Sequence, residues 1–139
     1  MMDATFRPVR DDEVEAVIAL WETCGLTRPW NDPARDIAFA RSGPASDVLT
    51  AHVDGVLAAS VMVGHDGHRG SVYYVSVHPD FQGRGLGRAV MKAAEDWLKA
   101  RGVWKLNLMI RTDNAAVRDF YAALGYEAED RLNMARRLE

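Results

Sequence analysis

Gln82-Gly83-Arg84-Gly85-Leu86-Gly87 lies between an apolar, strand-like run, Val72 to Val77, and a helical pattern extending from Leu86 to Arg101. His78-Pro79-Asp80-Phe81 joins the run to the glycines. A glycine-rich turn between a strand and a helix N-terminus is a place to hold a phosphate. Its backbone N–H groups have no intrahelical partner, and the helix dipole adds partial positive charge. The expected ligand therefore carries a pyrophosphate. The run lacks the G-x-x-x-x-G-K-[ST] order of a nucleoside triphosphate loop. It reads G-x-G-x-G and follows a meander, which disfavours a dinucleotide site. By itself it is also compatible with a plain loop whose glycines supply positive φ.

Upstream, Asp47 to Val53 and Val56 to Gly64 flank Asp54-Gly55, a dipeptide that favours a type I′ turn and predicts a hairpin. Ser71 to Val77 adds a third strand. Thr5 to Val9 reads as a short first strand. A helix begins at Asp11 or Asp12, with Asp12 and Glu15 at capping-box spacing and an apolar stripe of Val14, Val17, Ile18 and Trp21. A loop fenced by Pro29 and Pro33 leads to a second helix, Ala34 to Arg41, with Ile37 and Ala40 inward.

Downstream of the glycines, Leu86, Val90, Ala94, Trp97 and Leu98 make an inward helical face, and Gly102 closes it. Trp104 to Ile110 alternates like a strand. Asp113 or Asn114 caps a helix with the stripe Val117, Phe120, Tyr121 and Leu124. Tyr126 and Glu127 can start a short strand, and Arg131 to Leu138 reads as a last one. The order β-α-α-β-β-β-α-β-α-β predicts a mixed α/β (α+β) fold. The sheet is mostly antiparallel, with a right-handed parallel crossover from Ser71 to Ile110. No repeat or linker divides the chain, so residues 1–139 are expected to form a single domain.

Hydrophobic residues make up 48% of the chain, enough for a core and too many for disorder. A net charge of −3 weighs against nucleic acid as a partner and is mildly compatible with a cationic acceptor. Cys24 is the only cysteine, which excludes an internal disulfide and fits a reducing compartment. With no histidine near it in sequence, it reads as packed rather than reactive. No apolar run approaches the roughly 20 residues of a membrane span. The first ten residues lack the apolar stretch of a signal peptide. A cytoplasmic enzyme or binding module, away from the membrane, is the expectation. His65-x-x-His68 has no evident third ligand, so no metal is expected.

Val75-Ser76-Val77-His78-Pro79-Asp80-Phe81-Gln82-Gly83-Arg84-Gly85-Leu86-Gly87 resembles the acetyl-CoA signature Q/R-x-x-G-x-G/A of the Gcn5-related N-acetyltransferases, the GNAT family. Gln82, Gly85 and Gly87 fill its fixed places. Asn114 to Tyr126 resembles the second signature, N-x-x-A-x-x-[FL]-Y-x-x-x-G-[FY], with Val117 in the usual alanine place. The element order matches too, so the resemblance covers nearly the whole chain. Leu20-Trp21-Glu22 and Thr27 to Pro33 are similar to bacterial YpeA-type members of the family.

The resemblance implies a sheet flanked by helices with splayed central strands, Ser71–Val77 and Trp104–Ile110, and acetyl-CoA as cosubstrate. The pantetheine arm would pair with the backbone of Val75 and Val77 like an added strand. Backbone amides from Gly83 through Arg84, Gly85, Leu86 and Gly87 to Arg88 would take the pyrophosphate, beside Gln82. Asn114 would bond the pantetheine or simply cap its helix. The N–H near Val75 would hold the oxyanion, and Tyr121 would protonate the leaving thiolate.

Many family members place a glutamate as base on the strand before the glycine run. Here that strand reads Ser71-Val72-Tyr73-Tyr74-Val75-Ser76-Val77, with no carboxylate. Asp32, Asp66, His65 or water remain as alternatives. For the acceptor, a small-molecule or peptide amine, the expected contacts are Arg28, Trp30, Asn31, Asp32, Tyr74 and Arg111. Arg28 and Arg111 suit a carboxylate, and Asp32 a cationic amine. A CoA-binding sensor without turnover is the alternative function. A homodimer through the last strand is left open.

Overall fold

The computed structural model describes residues 4–139. Contacts gather the chain into a larger unit ending at Leu108 and a smaller one, Met109–Glu139. The larger unit carries a five-stranded sheet in sequence order. Its strands are β1 (Arg7–Pro8), β2 (Ser46–Val53), β3 (Val56–His65), β4 (Gly70–Val77) and β5 (Leu106–Asn107). The first four pair antiparallel, while β4 and β5 pair parallel. Helices α1 (Val14–Thr23) and α2 (Pro33–Ala40) precede β2, and α3 (Leu86–Lys99) links β4 to β5. The smaller unit holds α4 (Ala115–Ala123).

Local chemistry explains the boundaries. Asp54 and Gly55 both have positive φ, 51° and 76°, as the type I′ turn requires. Asp32 caps α2, its Oδ1 accepting from the Arg35 amide at 3.2 Å, with Pro33 in the first turn. The cap of the first helical segment lies earlier than the Asp12/Glu15 spacing suggests. The Arg10 amide donates to Glu13 Oε1 at 2.9 Å, so a 3-10 turn, Asp11–Glu13, leads into α1.

Ala58, Ala59, Ser60 and Val61 of β3 are all buried, so both faces of the sheet are covered there. Val17, Trp21, Ile37, Ala40 and Val48 form a core cluster from α1, α2 and β2. Helix α3 buries Leu86, Val90, Met91, Ala94 and Leu98. Trp97, expected on that face, is half-buried at its edge, where the Arg101 guanidinium lies 3.5 Å from the ring centroid.

Three expected strands come out differently. Of Trp104 to Ile110, only Leu106–Asn107 joins the sheet, opposite Gly70 and Ser71. The alternating pattern of Arg131 to Leu138 and the pair Tyr126–Glu127 form no ladder among the described residues, and Leu132, Met134 and Leu138 are exposed. Alternation makes a two-faced strand competent, but a strand exists only against a paired edge.

Candidate active site

Strand β4 is irregular where the sequence looks plain. Ser60 faces Ser76 and Met62 faces Tyr73, so Tyr74 and Val75 together oppose Val61. This is a β-bulge, and Tyr74 sits in it at φ 54°, in the left-handed region. Beyond the bulge, the His78 amide donates to Ala58 O at 2.7 Å, toward β3. Strand alternation then turns the Val77 amide and carbonyl to the opposite edge. On that edge β5 pairs only with Gly70 and Ser71. Among the described residues no strand pairs with Val72 to Val77 there, and the Val77 carbonyl takes bonds from side chains instead. Gln82 Nε2 donates to it at 3.3 Å, and so does Cys24 Sγ at 3.3 Å. Burial pushes the Cys24 thiol above its ordinary pKa of 9.0, against the Val77 contact, which keeps it in the unreactive form.

The glycine run follows at the end of this open edge. Gly83 and Gly85 have φ of 78° and 83°. Gly85 is the N-cap of α3 and supplies no side-chain cap. The first amides of a 14-residue helix are thus left for a ligand. A Cβ on Gly83 would meet nothing within 4 Å, so the backbone is approachable. Arg84, Gln82 and Arg88 are exposed, and the Arg84 guanidinium lies 5.6 Å from the Phe81 ring centroid. His78 Nδ1 accepts from the Asp80 amide at 3.1 Å and shapes the turn before the glycines. An open strand edge leading to an uncapped helix N-terminus fits an amide-bearing chain that ends in a pyrophosphate.

In the smaller unit, Asn114 Oδ1 accepts from the Val117 amide at 3.3 Å and caps α4. Tyr121 is buried on α4, edge-on to Phe120 at 5.0 Å and to Tyr126 at 5.8 Å. Burial raises its phenol above the ordinary 10.0, so it holds its proton through the neutral range. Arg111 is exposed in the same unit.

The acceptor-side residues of the larger unit divide into two groups. Arg28 Nη1 donates to the carbonyls of Gly25 and Thr27, holding its own loop. Asn31 is exposed, its amide bonded to Arg28 O at 3.1 Å, and Trp30 is 58% exposed. Asp32 serves as the α2 cap. Tyr74, by contrast, lies against the helices. Its ring stacks on Trp21 with centroids 3.9 Å apart and planes 2° from parallel. Its hydroxyl donates to Asp36 Oδ2 at 2.8 Å. Burial, that bond and the Asp36 charge push the phenol up to about 12.

Asp36 is the residue that sequence reasoning missed. It precedes Ile37 on α2, at the margin of the apolar stripe, which is the only signal the sequence offers. The other candidate bases serve turns. Asp66 accepts from the amides of His68 and Arg69, bonds that lower its pKa, and His65 Nδ1 accepts from the Gly67 amide.

A bulged strand with a free edge and an uncapped helix beyond it are the arrangement that the two sequence signatures imply for an acetyl-CoA-dependent transferase. Residues 9–126 match the acetyltransferase (GNAT) family, and the chain belongs to that family of N-acetyltransferases. It is 49% identical over 132 residues to an acetyltransferase of Pectobacterium atrosepticum, covering 95% of this chain and 94% of that one. An acetyltransferase of Yersinia pestis is 48% identical, with the same coverage. Among solved structures, an aminoglycoside N-acetyltransferase in complex with CoA superposes with a TM-score of 0.83 at 17% identity, covering 98% and 95% of the two chains. The ribosomal-protein-S18-alanine N-acetyltransferase of Escherichia coli gives a TM-score of 0.75 at 25% identity, covering 91% and 80%.

Proposed function

We propose that the chain is an acetyl-CoA-dependent N-acetyltransferase that moves the acetyl group directly to a primary amine of a small molecule or peptide. The observation that carries this reading is the free edge of β4 running into the uncapped N-terminus of α3. Val75 and Val77 would pair with the pantetheine amides. The amides from Gly83 to Arg88 would hold the pyrophosphate, with the Arg84 and Arg88 charges beside them and Gln82 fixing the strand end. The thioester supplies an acetyl group already activated for transfer.

The acceptor must arrive neutral, because an ammonium has no lone pair. The Val75 N–H, at the bulge, would bond the oxyanion, a contact whose removal typically costs about 10²–10³ in rate. Tyr121 would donate the proton to the leaving thiolate. An ordinary phenol, with a pKa of about 10, is within reach of a thiolate whose thiol has a pKa of about 8.5, and burial, which raises the Tyr121 phenol, keeps it protonated until the thiolate develops. Asn114 would keep its cap and bond the pantetheine. The single-domain reading of 1–139 is supported by the family match, which runs from the larger unit into the smaller.

Gly83→Asp tests the cradle. Aspartate tolerates the left-handed region better than most residues, and the space around the missing Cβ is empty. The new carboxylate would repel the pyrophosphate. Calorimetry should show acetyl-CoA binding weakened by about tenfold or more, roughly 1.4 kcal/mol, with the circular dichroism unchanged. Unaltered affinity would remove the glycine run as the pyrophosphate site. Tight binding without thiol release on any amine would favour the sensor alternative, which the absence of a carboxylate on β4 supports.

A further inference from the structure

We infer that the acceptor carries a positive charge in addition to its reacting nitrogen, and that Asp36 is the residue that reads it. The inference rests on the acetyl-transfer reading above and deepens it by naming the acceptor class. Asp36 is half-buried, and its only side-chain partner is the Tyr74 hydroxyl on Oδ2. Among the described residues no lysine, arginine or histidine pairs with it. Three other carboxylates of the larger unit carry counter-charges. Glu13 has Arg7 at 2.7 Å and His52 at 3.1 Å, Asp11 has Arg41 at 2.8 Å, and Asp96 has Lys92 at 2.7 Å. The first turn of α2 and the Tyr74 hydroxyl ease the Asp36 charge, and a cation is the partner still missing from its side chain.

Its place says what it would bind. Tyr74 directly precedes Val75, so Asp36 stands one tyrosine side chain and one hydrogen bond from the strand where the oxyanion would form. Trp21, wholly buried, backs one face of the Tyr74 ring and fixes its direction. The charge is not suited to the reacting nitrogen. An ordinary carboxylate is a weaker base than an alkylamine by about six pKa units, and contact with it holds an amine protonated. A carboxylate here fits a cation that stays charged throughout. The acceptor class is therefore a diamine, or an amino compound with a second basic nitrogen several carbon atoms from the first.

The test compares 1,5-diaminopentane with n-pentylamine, which differ by that one charge. Calorimetry on the enzyme saturated with CoA should give a Kd for the diamine about fivefold or more below that of the monoamine. Asp36→Asn should abolish the preference. Tyr74→Phe keeps the charge and should retain it, whereas a merely structural Asp36–Tyr74 pair would make the two variants behave alike. Equal affinities in the wild type, no binding of the diamine, or equal loss in both variants overturns the inference. Failure of the wild type to bind CoA overturns the underlying reading instead, so the two failures are separable.

Discussion

Tyr121→Phe separates chemistry from packing. The Tyr121 ring packs edge-on against Phe120 and Tyr126, and phenylalanine keeps that ring. The hydroxyl makes no hydrogen bond among the described residues, and burial is the only cause of its raised pKa. Its removal orphans no partner, so stability should change by less than about 1 kcal/mol. The catalytic effect should be large. General acid catalysis contributes about 10²–10⁴-fold, or about 2.7–5.5 kcal/mol in the barrier. Turnover with any acceptor that releases thiol in an amine screen should therefore fall about 100-fold or more. The Kd for acetyl-CoA should hold within about twofold. The pH profile adds a sign. A general acid works while protonated, so the wild-type rate should fall only as pH rises through the elevated phenol pKa, above 10.0. That alkaline limb should vanish in the variant. Wild-type turnover in Tyr121→Phe, or an unchanged alkaline limb, refutes the assignment.

Glu13→Gln should destabilise the fold by about 1–3 kcal/mol in urea denaturation. Glu13 holds Arg7 of β1, the Arg10 amide and His52 of β2 together. Burial opposes the Glu13 charge, but Arg7, the Arg10 amide and His52 outweigh it and lower the pKa below the ordinary 4.5. A depressed acid contributes stability above its unfolded pKa and loses it as pH falls through the folded value. The wild type should thus lose this term below about pH 4.5, and the variant should show no such loss. Gly70→Ala should cost about 1–3 kcal/mol in the same assay. A Cβ there would come within 2.5 Å of Leu98 Cδ1, and Leu98 is buried in the α3 face.

Elements whose signals are local were legible in the sequence. Asp54-Gly55 specified its turn, the 3.6-residue stripes specified α1, α3 and α4, and the glycine run announced the start of α3. Features that depend on partners were not. Leu106–Asn107 is all of the Trp104 to Ile110 pattern that finds an edge, and Arg131 to Leu138 finds none. The bulge was invisible because Tyr73 and Tyr74 both suit a strand, and only the register against Val61 shows that two residues stand where one is expected. With the bulge hidden, nothing could connect Tyr74 to Asp36, which is 38 residues away.

That hidden pair has an energetic role in the donor half as well. A non-glycine residue in the left-handed region costs about 1–2 kcal/mol. A stacked aromatic pair returns about 0.5–1.5 kcal/mol beyond its area, and a hydrogen bond to a charged group about 1.5–3 kcal/mol. The Trp21 stack and the Asp36 bond are therefore together large enough to hold Tyr74 at φ 54°. Helices α1 and α2 thereby hold the kink beside Val75. In the proposed site the donor half draws mainly on backbone amides, with Gln82, Arg84, Arg88 and Asn114 beside them. The contacts that keep Tyr74 in place come from side chains of α1 and α2. On the proposed mechanism, a change of acceptor specificity at Asp36 or Tyr74 would also disturb the strand geometry that would hold the oxyanion. A substitution there that altered acceptor choice while leaving the rate of acetyl transfer untouched would break this link.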